Sequence, residues 1–324
     1  MHPGIPVVEF LVEPFLSGSR IDSFLARHLR NYTSWRLHRL VASGLACIDD
    51  HPAEPADRVF TGQSVRIRLI EPPDKLLQPS PPSAPIPIIY EDPWLIVVDK
   101  PAGIVAHPVG DFQDGTLSNI LQWHLDRQSR FPGLLRPGVV HRLDRMTSGL
   151  IVAATEHLAH RLLSIDFQQS RISKSYTALV EGSPGFESRT IDLPIGRYPG
   201  GNSVLMSARP DALSPRPART KVTVVERCRG YSRVECVLYT GRNHQIRVHL
   251  AQLGHPVLGD EYYGANGTIR QSPRFDDEEP LETRHALHAC SLSFLHPILR
   301  QWLTFRSSPP ADFQQLTVPF DTLP

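Results

Sequence analysis

Lysine is nearly absent from this 324-residue chain. Of its 34 basic residues only four are lysine (Lys75, Lys100, Lys174 and Lys221), and the other 30 are arginine. Arginine suits phosphate recognition, but high-GC codon usage produces the same skew. Cysteine is scarce as well. Cys47, Cys228, Cys236 and Cys290 form no C-x-x-C pair, too few for a disulfide-built scaffold. They read as reduced thiols in a reducing compartment. No stretch reaches the ~18 apolar residues of a membrane span. The start, Met1 to Pro6, lacks the basic and then apolar run of a signal peptide. A soluble cytoplasmic protein is therefore expected. Excess charge is missing too: 34 basic residues against 33 acidic leave a net +1, which excludes a highly charged tail protein. It does not exclude nucleic acid, because acid elsewhere can balance a basic face.

Several motifs are missing. There is no G-x-G-x-x-G after a strand, no phosphate-cradling G-x-x-x-x-G-K-[ST], no G-x-S-x-G and no H-E-x-x-H. Nucleotide-cofactor, nucleotide-triphosphatase and common hydrolase functions lose support, and no cofactor is expected. The 15 histidines raise the question of a metal. His285, His288 and Cys290 lie close together, and His244 and His249 share a helix, but neither group has a recognised zinc spacing. Packing and hydrogen bonding are their expected fate, and no metal is expected.

What the chain does have is proline, concentrated between Glu71 and Pro87, where seven of 17 residues are proline. Such a stretch is neither helix nor central strand and reads as a linker over 71–87. Ahead of it, residues 18–70 read as a small module. Ile21, Phe24, Leu25 and Leu29 recur at helical spacing. A second helix is predicted over Trp35 to Ser43, with Gly44 as its C-cap. Short strands follow at Leu45 to Ile48 and Ser64 to Ile70. Five arginines and one acid between Arg20 and Arg39 make a candidate phosphate-binding surface. After the linker, strands are predicted at Trp94 to Asp99, Leu150 to Ala154 and Tyr176 to Val180. A hairpin is predicted from Lys221 to Tyr239 through Gly230. One helix carries Leu158, Leu162 and Ile165, and another Ile246, Leu250 and Leu253. Hairpin-linked strands with interspersed helices indicate an α+β fold. The acidic run Asp276 to Glu279 reads as an exposed loop.

Two polar segments could carry chemistry. The first is His141-Arg142-Leu143-Asp144-Arg145-Met146-Thr147-Ser148-Gly149, between two apolar strands. A scaffold of this kind holds short polar side chains rigidly. An arginine beside Asp144 would keep its carboxylate ionised, as a nucleophile or base. Alternatively the carboxylate caps the Thr147 or Ser148 amide in a turn. The second segment is Thr240-Gly241-Arg242-Asn243-His244-Gln245-Ile246-Arg247-Val248-His249. Here Asn243 could cap a helix, and His244 and Arg247 share a face opposite the apolar stripe. That face either is solvated or reaches a carboxylate or phosphate.

These segments, in this order with Lys174-x-Tyr176-x-Ala178 between them and Gly254 to Asp260 after them, closely resemble the RluA-type pseudouridine synthases. The match extends to Val97 through Pro101, Tyr263-Gly264, Leu287 through Ala289 and His296-Pro297. It covers about 88–310, with Asp99 where the family usually has Asn. Residues 18–70 resemble the small RNA-binding domain first seen in ribosomal small-subunit protein S-four. They depart from it at Ser34-Trp35-Arg36 and at the Ile48-Asp49-Asp50-His51 turn.

The resemblance implies a pseudouridine synthase fold, a central, mostly antiparallel mixed sheet with flanking helices, in a catalytic domain at 88–310. It implies an isomerase that converts uridine in RNA to pseudouridine without cofactor or metal. By resemblance Asp144 is the catalytic carboxylate, Tyr176 the active-site tyrosine and Arg247 the arginine paired with the aspartate. Arg142 would fill the gap left by a flipped base. Arg242, His244 and Gln245 would bind substrate. The module, carried on the proline linker, would add RNA affinity through effective concentration. Large-subunit ribosomal RNA is the expected target of a monomeric enzyme. The alternatives are transfer RNA, or a non-catalytic RNA-binding protein of the same fold.

Overall fold

The computed structural model describes residues 6–71, 73, 77–110, 112–129, 132–200, 204–270 and 284–315. The acidic run at 276–279 lies outside them. The chain opens with β1 (Val7–Leu11), α1 (Ile21–His28), α2 (Ser34–Ala42), β2 (Ala46–Ile48), β3 (His51–Pro52) and β4 (Ser64–Arg68). The four strands form one sheet in the order β1-β4-β2-β3, so the module takes in a strand ahead of residue 18. Ile21, Phe24 and Leu25 of α1 and Leu37, Leu40 and Val41 of α2 are buried against Val65 and Ile67. The Thr33 hydroxyl accepts from the Arg36 amide and starts α2 one residue earlier than its apolar spacing indicates. In the two-residue β2–β3 turn Asp49 and Asp50 both take positive φ, 47° and 67°. That is the demand of a type I′ hairpin, usually met by Asn-Gly. The Asp49 carboxylate helps hold it by accepting from the Ser64 amide at 2.8 Å.

The second body is built on a ten-stranded sheet. Its strands are β5 (Ile88–Glu91), β6 (Leu95–Lys100), β7 (Gly138–Val139), β8 (Ser148–Ala154), β9 (Ser173–Glu181), β10 (Ser188–Asp192), β14 (Arg219–Arg227), β15 (Tyr231–Leu238), β16 (Leu287–Leu295) and β17 (Trp302–Arg306). The main path runs β10-β14-β15-β9-β16-β8-β6-β5, with β7 on β8 and β17 on β16. Among the described residues only the β16–β8 pairing is parallel, so the fold is α+β with a mostly antiparallel mixed sheet, as expected. A small sheet of β11 (Ile195–Arg197), β12 (Met206–Ser207) and β13 (Leu213–Arg216) lies beside it.

Strands β6 and β8 read as continuous apolar runs because both of their faces are covered. Ile96, Val98, Ile151 and Ala153 face one core, with Leu117 and Leu121 of α3 (Leu117–Gln128) and Ile246 and Leu250 of α5 (Gln245–Gln252). Leu95, Val97, Leu150 and Val152 face the other, with Ala159 and Leu163 of α4 (His157–Gln168). Among the described residues no helix is long and apolar enough to cross a membrane.

The module is docked rather than loosely tethered. The Asn31 side chain donates to the Gly133 carbonyl at 2.8 Å, Leu134 packs on the module core, and Arg161 of α4 lies 3.9 Å over the Phe15 ring. The linker is pinned too. Ser80 N–H donates to the Asn119 carbonyl, and the Asn119 side chain donates to Gln78. The basic surface on α1 and α2 is partly spent internally: Arg20 pairs with Asp22, and Arg36 and Arg39 both pair with Glu71.

Candidate active site

The first polar segment is the connection between β7 and β8, and nearly every residue in it has a structural cause. His141 stacks on Phe167 with ring centroids 4.4 Å apart, and its Nε2 accepts from the Val152 amide. Burial, with Lys174 nearby, lowers its pKa to about 3, so the ring is neutral. Leu143 is buried in the core. Thr147 and Ser148 bond the side chains of His285 (2.8 Å) and His288 (3.0 Å). Gly149 has φ +116°, and a Cβ there would lie 2.4 Å from the Ala289 carbonyl oxygen. Lys100 at the end of β6 is fully buried, and its ammonium donates to the carbonyls of Pro101, Ile104 and Arg145. Burial lowers its pKa to about 7 although Asp144 opposes the shift.

With its neighbours fixed, Asp144 projects its side chain, about a fifth exposed, into a cleft of about 690 Å³. Its backbone carbonyl, not its carboxylate, closes the turn by accepting from Thr147 N–H. The carboxylate accepts a hydrogen bond from Arg247 Nη1 at 3.3 Å. The arginines adjacent in sequence do not supply this contact. Arg142 is exposed, and Arg145 turns to the Gly103 carbonyl and the Phe112 ring.

Arg247 is 2% exposed on α5, which is buried from Gln245 to Ala251. Of the two alternatives for the face opposite the apolar stripe, the structure shows the second: the face is buried and reaches a carboxylate, while Val248 and Ala251 pack with Tyr263 and Ile195. Asp260 grips the guanidinium bidentately, through Nε at 2.7 Å and Nη2 at 2.8 Å. Tyr262 and Tyr263 lie 5.0 and 5.1 Å from it. Asp260 also accepts the Tyr262 and Tyr263 amides. Asp260 stood in the sequence inside a recognised motif, but nothing about its spacing to Arg247 marked it as a partner.

The electrostatics follow from this cage. Burial alone would raise the Asp144 pKa, but His244, Arg247 and His285 together hold it down at about 2. Burial lowers the pKa of both histidines, so Arg247 is the charge that persists at neutral pH. For Arg247 burial favours loss of the proton, but Asp260 and then Asp144 outweigh it and raise its pKa. Tyr176 on β9 lines the same cleft, and burial followed by Asp144 raises its pKa, which keeps the hydroxyl protonated.

The remaining sequence candidates divide. Arg142, Arg242 and His244 line the cleft with Asp144 and Tyr176. Gln245 lines it also, but its amide is engaged internally. It accepts from the Arg242 amide and the Thr240 hydroxyl and donates to the Arg219 carbonyl and Thr220. Asn243 does not cap α5. His244 occupies that position with φ +55° and makes no side-chain cap. His249 bonds Thr220 and the Leu193 carbonyl, and His288 and Cys290 are likewise tied into the sheet. Among the described residues Glu13, His28 and Glu156 form a cluster of metal-ligand type. It sits at the junction with the module, and His28 pairs there with Glu13.

Comparison with known proteins gives a consistent result. Residues 94–252 match the family model described as RNA pseudouridylate synthase. A Neisseria meningitidis protein named ribosomal large subunit pseudouridine synthase D is 36% identical over 93% of this chain and 78% of that one. An Aquifex aeolicus protein named as an uncharacterized RNA pseudouridine synthase is 34% identical over 96% of both chains. The solved human RNA pseudouridylate synthase domain containing 1 superposes with a TM-score of 0.54 at 26% identity, over 76% of this chain and 99% of that one.

Proposed function

Because this chain belongs to the RNA pseudouridylate synthase family and is an RNA-modifying isomerase, we propose that it converts uridine to pseudouridine in large-subunit ribosomal RNA, with Asp144 as its catalytic carboxylate. One observation carries the assignment of the site. Among the described residues the cleft presents one carboxylate, held ionised by a buried arginine, beside a protonated tyrosine. The reaction breaks the C1′–N1 glycosidic bond, turns the uracil and joins its C5 to C1′. No atom is gained or lost. It needs an ionised group to act on the nucleoside and a route for the proton released from C5. Asp144 fits the first requirement and the Tyr176 hydroxyl the second. The target base has to leave its stack to enter the cleft, and exposed Arg142 at the mouth suits the vacated place.

The ribosomal target is supported by the names of relatives 34–36% identical across most of their length. The docked N-terminal module, residues 6–71, adds a second RNA-contacting surface in a fixed position. The same ribosomal target, named for the relatives, supports action in the cytoplasm, and we take the acting form to be a monomer.

The test is pseudouridine mapping of total RNA from cells with the gene, without it, and with Asp144→Asn. The expected outcome is loss of the same large-subunit sites in the null and Asn strains, with purified Asn protein still folded and still binding RNA. Sites lost only from transfer RNA would move the target, and an active Asn variant would overturn the role of Asp144.

A further inference from the structure

We infer that His244 is a neutral hydrogen-bond donor locked in one tautomer by Tyr263, and that its Nε2–H serves a ring carbonyl oxygen of the reacting uracil. This rests on the pseudouridine synthase function proposed above and assigns a further residue to that site.

One buried hydroxyl fixes the tautomer. Tyr263 is 1% exposed. Its oxygen accepts from the Met206 amide at 3.0 Å and lies 2.6 Å from His244 Nδ1. An amide N–H can only donate. Among the described residues the hydroxyl hydrogen therefore has one acceptor, Nδ1. An Nδ1 that accepts carries no proton, so the proton of the neutral ring is on Nε2. Protonating His244 would put a hydrogen on Nδ1 and strand the tyrosine hydrogen in the interior without an acceptor, which disfavours the imidazolium.

The charged and titratable groups around the ring are Asp144 and Arg142 on the β7–β8 connection, Arg247 on α5, Asp260, Tyr262 and Tyr263 beside it, and His285 before β16. Burial, Arg247 and Arg142 disfavour the imidazolium, while Asp144 and Asp260 favour it. The balance lowers the His244 pKa. Backbone geometry agrees with a placed side chain. His244 takes φ +55° and ψ 20°, a left-handed conformation that a non-glycine residue keeps only where its surroundings demand it. That conformation seats the ring against Tyr262 and Tyr263, with centroids 5.9 and 5.7 Å away.

Nε2 makes no hydrogen bond among the described residues, and the ring lines the cleft shared by Asp144 and Tyr176. Uracil offers acceptor oxygens at ring positions 2 and 4. When the C1′–N1 bond breaks, its electron pair goes to the uracil and negative charge grows on those oxygens. A fixed neutral donor stabilises that charge as it develops. A charged imidazolium would instead compete with Arg247 for Asp144.

The test combines spectroscopy and turnover on the full chain. Protein labelled with ¹⁵N in histidine is examined by NMR, with His244→Gln identifying the resonance. The expected signal is a neutral Nε2–H tautomer that does not titrate between about pH 5 and 8. In Tyr263→Phe the same ring should titrate in that range or mix tautomers, and turnover should acquire a matching pH inflection while RNA affinity holds. His244→Ala should lower kcat by about 100-fold or more, as for a lost oxyanion donor. His244→Gln, which keeps an N–H donor, should recover a substantial part. An Nδ1–H tautomer, a wild-type ring that titrates in this range, or equal activity of the Ala and Gln variants would overturn the proposal. The tautomer is read without substrate, so a protein that forms no pseudouridine refutes the function and leaves the ring assignment standing.

Discussion

Removing Asp260 tests the central electrostatic claim most directly. Arg247 is a fully buried cation whose two strong contacts, at 2.7 and 2.8 Å, go to Asp260, and whose third, at 3.3 Å, goes to Asp144. Asp260→Ala leaves that cation with one long, partly solvated partner. Breaking a buried pair by deleting one member costs about 3–5 kcal/mol. For a body of this size that lowers Tm by roughly 6–20 °C, at 2–4 °C per kcal/mol. Arg247→Met strands the Asp260 carboxylate at similar cost, softened by the Tyr262 and Tyr263 amides it still accepts. The double variant strands neither charge. It should be more stable than the sum of the singles by about 2–3 kcal/mol. Urea unfolding followed by circular dichroism at neutral pH measures all four corners of the cycle. Acidification supplies a second arm. The folded-state pKa of Asp260 is lowered, Arg247 outweighing burial. Its stabilisation is therefore full above the unfolded value of about 4 and is lost as pH falls through the lower folded value. The gap between wild type and Asp260→Ala should narrow over that acidic window. Additive single effects, or a gap that ignores pH, would refute the cage.

Arg247→Lys should reduce turnover strongly with little change in RNA affinity, since an ammonium cannot bridge Asp260 and Asp144 as the fork does. Asp144 would then lose part of what holds its pKa near 2, and the acidic limb of the pH–rate profile should move upward; a phosphate contact would instead weaken binding and leave the profile unmoved. Gly149→Ala should collapse soluble yield or lower Tm sharply, because its Cβ would meet Ala289 backbone atoms at 2.4 and 2.5 Å in a positive-φ position; a thermal melt like that of wild type would contradict the close β16–β8 approach. Protein dialysed against a chelator should retain its turnover on separately refolded transcript, since an isomerisation assembled from carboxylate, hydroxyl and guanidinium needs no added ion, and a strict zinc requirement would overturn this.

Docking of the N-terminal module changes how it would work. A module on a loose tether contributes through effective concentration. Here Asn31, Phe15 and Leu134 hold it against α4 and the segment before β7, so a surface it offered to RNA would have a set direction relative to the cleft. The pairing of Arg36 and Arg39 with Glu71 also means that net charge counted along α1 and α2 overstates the free positive surface.

Much of this protein was decided locally and could be read from order and spacing. The apolar periods of α1, α2 and α5, the hairpin through Gly230, and the strand–loop–strand around Asp144 all follow from neighbouring residues, because secondary structure depends on contacts a few positions apart. The family motifs in order carried the chemistry. Other features required the folded chain. Asp144 is paired from 103 positions away and not by Arg142 or Arg145 beside it. His141 and Thr147 act as struts for their loop. Gln245 braces its own turn, and the polar start of α5 is buried, not solvated. The identity of a charge is written in sequence, but its partner, its solvation and the proton position on a ring such as His244 depend on distances of a few ångströms between distant segments. Only tertiary packing sets those distances.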